Sequence, residues 1–89
     1  MARLYVMPGD MDAASVKEQR PVLDELAASS EDVTLDLSKT EFIDSSGVGA
    51  LVFIYKRLLA GKLKLRVVGL KGQPLQLLTH LRLTDFVAR

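Results

Sequence analysis

The sequence predicts an α/β fold in which a mixed, mostly parallel sheet is packed by alternating helices. Two observations indicate this class. Segments with the alternating apolar pattern of strands take turns along the chain with segments of helical apolar spacing. In addition, the first two predicted strands each lead into a turn that can start a helix. In a parallel sheet such turns meet at one edge, beyond the carboxyl ends of the strands, so a site is expected there.

The first strand is predicted over Arg3 to Met7. Asp12 is placed to cap a first helix that runs from about Ala13 to Ala28. Pro21 lies inside this helix and lacks an N–H, so it should kink the helix or split it. The apolar stripe of this helix is formed by Val16, Val22, Leu23 and Leu26.

The second strand is predicted where apolar and polar residues alternate from Val33 to Ser38. The segment Phe42–Gly49 then has the composition of a tight strand-to-helix turn with two exposed hydroxyls. Asp44 or Ser45 can cap the following helix, and Gly47 keeps its start uncrowded. The central helix should therefore begin within this segment.

The central helix is predicted from its apolar spacing of i, i+3, i+4 and i+7, and it should stop at Gly61. Lys56 and Arg57 lie near its carboxyl end, where cations are favoured. Its apolar positions are Val48, Leu51, Val52, Tyr55, Leu58 and Leu59.

A third strand is predicted over Lys62 to Val68, followed by a loop over residues 69–73. Pro74 suits the first position of the last helix, because an N–H is not needed there. Residues 84–88 form a short tail that can be extended at Phe86-Val87. The residues of the last helix predicted to face inward are Leu75, Leu77, Leu78 and Leu81.

Ser46 lies near the start of the central helix. A helix amino terminus carries roughly half a positive charge and several unpaired N–H groups, so a serine there is suited to hold a phosphate. Spacing alone favours a simpler role, in which Ser45 and Ser46 only cap the helix. The local pattern leaves both roles open.

Two motifs together resemble a known family. The first is the strand Val33–Ser38 followed by Phe42–Gly49 and an apolar helix, and the second is Gly9-Asp10-Met11-Asp12-Ala13. Both resemble the STAS domains of small bacterial anti-sigma-factor antagonists, in which the first turn, between a strand and the first helix, reads Gly-acid-x-Asp. In that family the second serine of the Asp-Ser-Ser-Gly turn is phosphorylated by an anti-sigma factor that is also a serine kinase, and matching residue by residue places this on Ser46. Family members usually have a further strand before the first turn, whereas only eight residues precede Gly9 here.

The resemblance implies a protein-binding switch controlled by phosphorylation. The unmodified domain would bind the anti-sigma factor, phosphate on Ser46 would block this binding, and a serine phosphatase would reverse it. No cofactor is implied, since ATP and magnesium would belong to the kinase. Asp12 can alternatively be only a helix cap. The alternative function is a STAS subunit of an ABC-type lipid transporter that clasps its ATPase. The partner-binding residues implied are Asp10, Asp12, Asp44, Ser45, Ser46, Gly47 and Val48.

Length and composition argue against other classes of protein. A chain of 89 residues makes one domain, over residues 1–89, that is too small for a deep active site. Ser46, His80 and Asp85 supply the residue types of a hydrolase triad, but Ser46 is not in a Gly-x-Ser-x-Gly elbow, so no enzyme is expected. The lack of cysteine and the single histidine argue against disulfides and a zinc site. No secretion signal or apolar run of ~20 residues is present, which predicts a cytoplasmic protein without membrane insertion.

The net charge of +1 is unevenly distributed. Residues 1–45 contain ten acidic and four basic residues (net −6), whereas residues 46–89 contain one acidic and eight basic residues (net +7). Such a split can mark a nucleic-acid-binding protein. Few aromatic residues accompany the basic ones, and Lys64 and Arg66 alternate with apolar residues like the solvated face of a strand, so no nucleic-acid partner is expected. An unpaired edge strand leaves a homodimer open.

Overall fold

A computed structural model describes residues 3–87, in which three strands alternate with three helices. The strands form one sheet in the order β1-β2-β3, and both pairs of neighbours are parallel. The predicted α/β class is confirmed, and all strand pairing in residues 3–87 is parallel. The elements are β1 (Arg3–Val6), α1 (Ala13–Ala27), β2 (Val33–Asp36), α2 (Ser45–Ala60), β3 (Leu65–Val68) and α3 (Gly72–His80).

The two faces of the sheet differ in burial. The central strand β2 alternates strictly, with Val33 and Leu35 fully covered. Successive right-handed crossovers that advance in one direction place α1 and α2 on the same side, over these residues. The opposite face carries only residues that are partly or fully exposed in residues 3–87: Leu4, Val6, Thr34, Asp36, Arg66 and Val68.

The first helix is continuous through Pro21, so the predicted split is wrong. Pro21 is exposed, and the Lys17 carbonyl that loses its usual partner belongs to another exposed residue, where water can hydrate it. Val22 is only partly buried. The helix is held on both sides of the proline by residues buried in the core, namely Val16, Leu23, Leu26 and Ala27.

The second helix begins at Ser45 and ends at Ala60, with Gly61 as the cap residue. The predicted burial of Leu59 is wrong, because its side chain is 55% exposed and Ile54 is buried instead. Every position from Val48 to Tyr55 is apolar or glycine, so periodicity alone does not fix which side of this helix faces the core. The buried residues are Gly47, Leu51, Ile54 and Leu58.

The third strand begins at Leu65 rather than Lys62, because Lys62 has a left-handed backbone (φ 62°) in the turn after α2. The third helix begins at Gly72, so Pro74 is not its first residue as predicted but lies further inside its first turn. A proline is tolerated there, since the first N–H groups of a helix have no intrahelical partner. Both corrections concern the ends of elements whose existence is confirmed.

The last helix and the chain after it contact the sheet at few points. Leu78 is buried and Leu77 packs against the core as predicted. The predicted burial of Leu75 and Leu81 is wrong, since they are 38% and 45% exposed. This helix is short, and its buried residues are Pro74 and Leu78.

The chain returns to the sheet after α3. Val87 forms a parallel bridge with Val67, and the Val67 N–H donates to the Phe86 carbonyl at 2.8 Å. Phe86 is buried with its ring 5.0 Å from that of Tyr55. The predicted extension at Phe86-Val87 is confirmed by this bridge, while Ala88, at the end of the predicted tail, lies outside the described residues.

Candidate functional site

The two turns predicted to share one edge of the sheet are in direct contact. Met11 and Ile43 run side by side as a parallel bridge, and both are fully buried. The Met11 N–H donates to the Phe42 carbonyl at 3.0 Å, and the Asp44 N–H donates to the Met11 carbonyl at 3.2 Å. The prediction of a common edge is therefore confirmed.

Side chains join the first turn to the residues before the second. One carboxylate oxygen of Asp10 accepts the N–H groups of Glu41 and Phe42, at 2.9 and 3.2 Å. The hydroxyl of Thr40, a fully buried polar residue, donates to the Gly9 carbonyl at 2.7 Å. Asp10 thus fixes the backbone that leads into the second turn, Phe42–Gly49, which is called the serine turn below.

Asp44 is the cap of α2. Its Oδ1 accepts the N–H groups of Ser46 and Gly47, at 2.8 and 3.1 Å, and its Oδ2 accepts the Ala13 N–H at 3.1 Å. One carboxylate therefore serves the amino termini of both α1 and α2. The sequence allows either Asp44 or Ser45 as the cap, and the structure places Ser45 as the exposed first residue of the helix.

Asp12 caps α1 as predicted, and its Oδ1 accepts the Ser15 N–H at 2.8 Å. Hydrogen bonds from the Ser15 N–H and hydroxyl hold the pKa of Asp12 below its usual value, because they stabilise the charged form. The edge that presents Ser46 therefore carries a carboxylate that stays ionised at neutral pH.

Ser46 is the second residue of α2 and is partly exposed. Its N–H is bound by Asp44, whereas its hydroxyl has no hydrogen-bond partner among residues 3–87. The hypothesis that Ser45 and Ser46 are caps is wrong, because the carboxylate of Asp44 occupies that position. Val48, the last of the predicted site residues, packs against the core.

Gly47 is buried where α2 meets the first turn. A Cβ at this position would overlap the Met11 carbonyl oxygen and lie 2.8 Å from the Met11 Cβ and the Ile43 Cγ2. Contacts this close do not occur in relaxed structures, so only glycine lets α2 begin directly against Met11. Gly47 is therefore a buried residue that lets the start of α2, which carries Ser46, lie against the first turn.

Gln73, which the sequence predicts to lie in a loop, is a structural partner of this turn and lies in α3. Its side-chain amide accepts the Ile43 N–H and donates to the Ile43 carbonyl, both at 2.9 Å. Met11 and Gln73 thus flank the main chain of Ile43 on its two sides. A lone glutamine near the start of a helix gives no sequence signal for such a contact.

Replacing this amide should loosen the serine turn. We expect Gln73→Ala to lower the free energy of unfolding by about 1–2 kcal/mol, because the N–H and carbonyl of buried Ile43 lose their partners. Gln76→Ala, at an exposed position of the same helix, should change it by less than about 0.5 kcal/mol. Urea unfolding followed by circular dichroism measures both, and equal effects would contradict the assignment.

The histidine that a hydrolase triad would need does not lie near Ser46. Helices in this fold run opposite to the strands, so His80, the exposed last residue of α3, lies at the far end of the domain from Ser46. Among residues 3–87 no group of three or more histidine, aspartate or glutamate side chains could hold a metal ion. Within the same part of the chain, none of the helices has the length and apolar character needed to span a bilayer.

The structure defines a small α/β domain whose parallel strands lead into two joined turns, one of which presents a serine at a helix start. The chain belongs to the STAS domain family, whose family model matches residues 2–89. STAS domains are generally regulatory or binding modules without enzymatic activity. A comparison with curated proteins gave no match.

Proposed function

We propose that this STAS domain is an anti-sigma-factor antagonist, a protein-binding switch controlled by phosphorylation of Ser46. The observation that supports this most is the state of the Ser46 side chain: partly exposed and without a partner in residues 3–87, while Asp44 caps the helix. Esterification of this hydroxyl would break no hydrogen bond among residues 3–87. The modification can therefore alter the surface and leave the fold intact.

The residues of the proposed surface have two different roles. Ser45 and Ser46 are accessible and can contact the partner, together with the accessible parts of Asp12 and Asp10. Three other residues act beneath them. Asp44 caps the helix, Gly47 permits its close approach to Met11, and Val48 anchors it to the core. The proposed partner is an anti-sigma factor that is also a serine kinase. It would supply ATP and magnesium, and a serine phosphatase would restore the binding form.

Charge explains how phosphate would release the partner. A phosphoserine adds about −1.5 to −2 charges at neutral pH. The positive end of α2 favours this charge within the domain. A partner surface that fits a neutral hydroxyl beside Asp12 would instead meet an additional dianion. Like charges across an interface cost several kcal/mol, which is enough to end binding without any refolding.

Phosphorylation mapping tests the proposal. The domain is incubated with ATP and its cognate serine kinase, and the modified peptides are identified by mass spectrometry. We expect one phosphate on Ser46, loss of labelling in Ser46→Ala, and unchanged labelling in the neighbouring control Ser45→Ala. Phosphate on Ser45, or on a residue outside this turn, would contradict the proposal.

A further inference from the structure

A groove of about 600 Å³ lies between α1 and α2, next to Ser46. This volume is within the usual range for binding pockets. Its floor is apolar, with Val16 and Leu23 from α1 and Ala50 and Phe53 from α2. The helix spacing places Ser46 at one end and Phe53 at the other. The groove is therefore continuous with the surface that carries the serine.

The charged groups beside this groove are cations. Lys17 and Arg20 line it, and no acidic residue of the described segment 3–87 does. The guanidinium carbons of Arg20 and Arg57 lie 5.4 and 5.6 Å from the centre of the Phe53 ring. Arg20 also pairs with Asp24 at 2.8 Å, whereas Lys17 and Arg57 make no salt bridge within residues 3–87. An apolar floor with a cationic margin complements an apolar group flanked by negative charge.

We propose that this α1–α2 groove is the docking site for a segment of the partner kinase in which an apolar side chain is flanked by carboxylates. The inference rests on the proposed function and adds to it the chemistry that the partner must present. The apolar side chain packs against Val16, Ala50 and Phe53, and the carboxylates face Lys17 and Arg57. Desolvated aromatic and aliphatic anchors of this kind supply most of the binding energy in protein interfaces.

The position of Ser46 links the groove to the switch. Ser46 and Lys17 line the same groove, so a phosphate on the serine would add about −1.5 to −2 charges where the partner's carboxylates are to bind. The phosphate would also compete with those carboxylates for Lys17. Phosphorylation would thus cancel most of the positive charge of the groove while its shape stays the same.

The chemistry of the groove can be tested without any partner. The ¹⁵N-labelled domain is titrated with 3-phenylpropionate, which joins an apolar ring to a carboxylate, and in parallel with the cationic 3-phenylpropylamine. We expect the carboxylate to shift amide resonances of residues 16–20 and 49–53 with millimolar affinity, and the amine to bind at least about 10-fold more weakly. Equal binding of the two probes, or shifts outside the groove, would overturn the inference.

Two pairs of variants then test docking of the kinase. Gly49 is exposed, and a Cβ there would meet nothing within 4 Å, so Gly49→Leu fills the groove without crowding the core. We expect it to weaken kinase binding at least 10-fold, and Ala60→Leu, at the exposed end of the same helix, to leave binding within 2-fold. Lys17→Glu should likewise weaken binding at least 10-fold, while its control Lys56→Glu should not. Thermal unfolding checks that all four variants are folded.

The outcomes separate this inference from the proposed function. Suppose that the kinase binds the wild type, fails to bind Ser46→Asp, and binds both groove variants with the same affinity as the wild type. The docking site is then overturned and the switch stands. If the kinase binds no form of the domain, the switch is overturned and docking of a kinase segment with it. The phenylpropionate titration measures the preference of the groove for negative charge whichever of these two outcomes is found.

Discussion

Gly47→Ala should lower the free energy of unfolding by about 1–2 kcal/mol, although alanine is the best helix former. The added methyl group would overlap the Met11 carbonyl oxygen and press on the Ile43 side chain. A backbone oxygen held in a parallel bridge cannot move aside as a flexible side chain can. Overpacking of this kind costs about 1–3 kcal/mol and outweighs the gain of about 1 kcal/mol in helix propensity.

Gly49→Ala provides the matched control for that substitution. Both glycines lie in the first turns of α2, but a Cβ at Gly49 would meet no atom within 4 Å. We expect this variant to raise the free energy of unfolding by about 0.5–1 kcal/mol, as alanine in place of an exposed helical glycine usually does. Urea unfolding of the two variants should give opposite signs. The same sign for both would contradict the close approach of α2 to Met11.

Ser46→Asp should weaken binding of the partner kinase by at least about 100-fold, which corresponds to about 2.7 kcal/mol. The aspartate adds a charge next to Asp44, whose carboxylate binds the Ser46 N–H, at a position where the proposed interface accepts a neutral hydroxyl. Ser46→Ala removes only a hydroxyl that binds nothing in residues 3–87, so its affinity should stay within a few-fold of the wild type. Isothermal titration calorimetry with the purified kinase measures both values.

Two comparisons show whether that loss arises at the interface. An aspartate in the first turn of a helix is favourable by about 0.3–1 kcal/mol, so Ser46→Asp should unfold at the same urea concentration as the wild type or slightly above it. Ser30→Asp introduces the same charge at an exposed position before β2, at the other end of the sheet, and should bind normally. Unimpaired binding of Ser46→Asp would refute the switch.

The sequence was sufficient to predict that the turns at Asp12 and Ser46 share one edge. That prediction needed only the order of strands and helices and the geometry of parallel sheets. The choice between Asp44 and Ser45 as cap could not be predicted, since both residue types cap helices well. Asp44 has the advantage of two oxygens, which reach the amino termini of α1 and α2 together. A single serine hydroxyl could not do this.

Contacts that lack a periodic pattern were missed for a physical reason. The bonds from Gln73 to Ile43 join a side chain to a backbone 30 residues away, and neither residue type is unusual at its position. The predicted orientation of α2 is wrong at Leu59, because this helix has apolar residues on all of its sides. Its rotation is fixed by the approach of Gly47 to Met11, which becomes visible only when both turns are seen together.

The double attachment of Ile43, with Met11 on one side and Gln73 on the other, has a consequence for the speed of the proposed switch. A turn held on both sides in this way has no slow internal rearrangement to complete before the partner responds to the phosphate. The delay between addition of phosphate and liberation of the partner should then equal the lifetime of the weakened complex. Stopped-flow traces of that event would show one exponential phase, without a lag at any protein concentration.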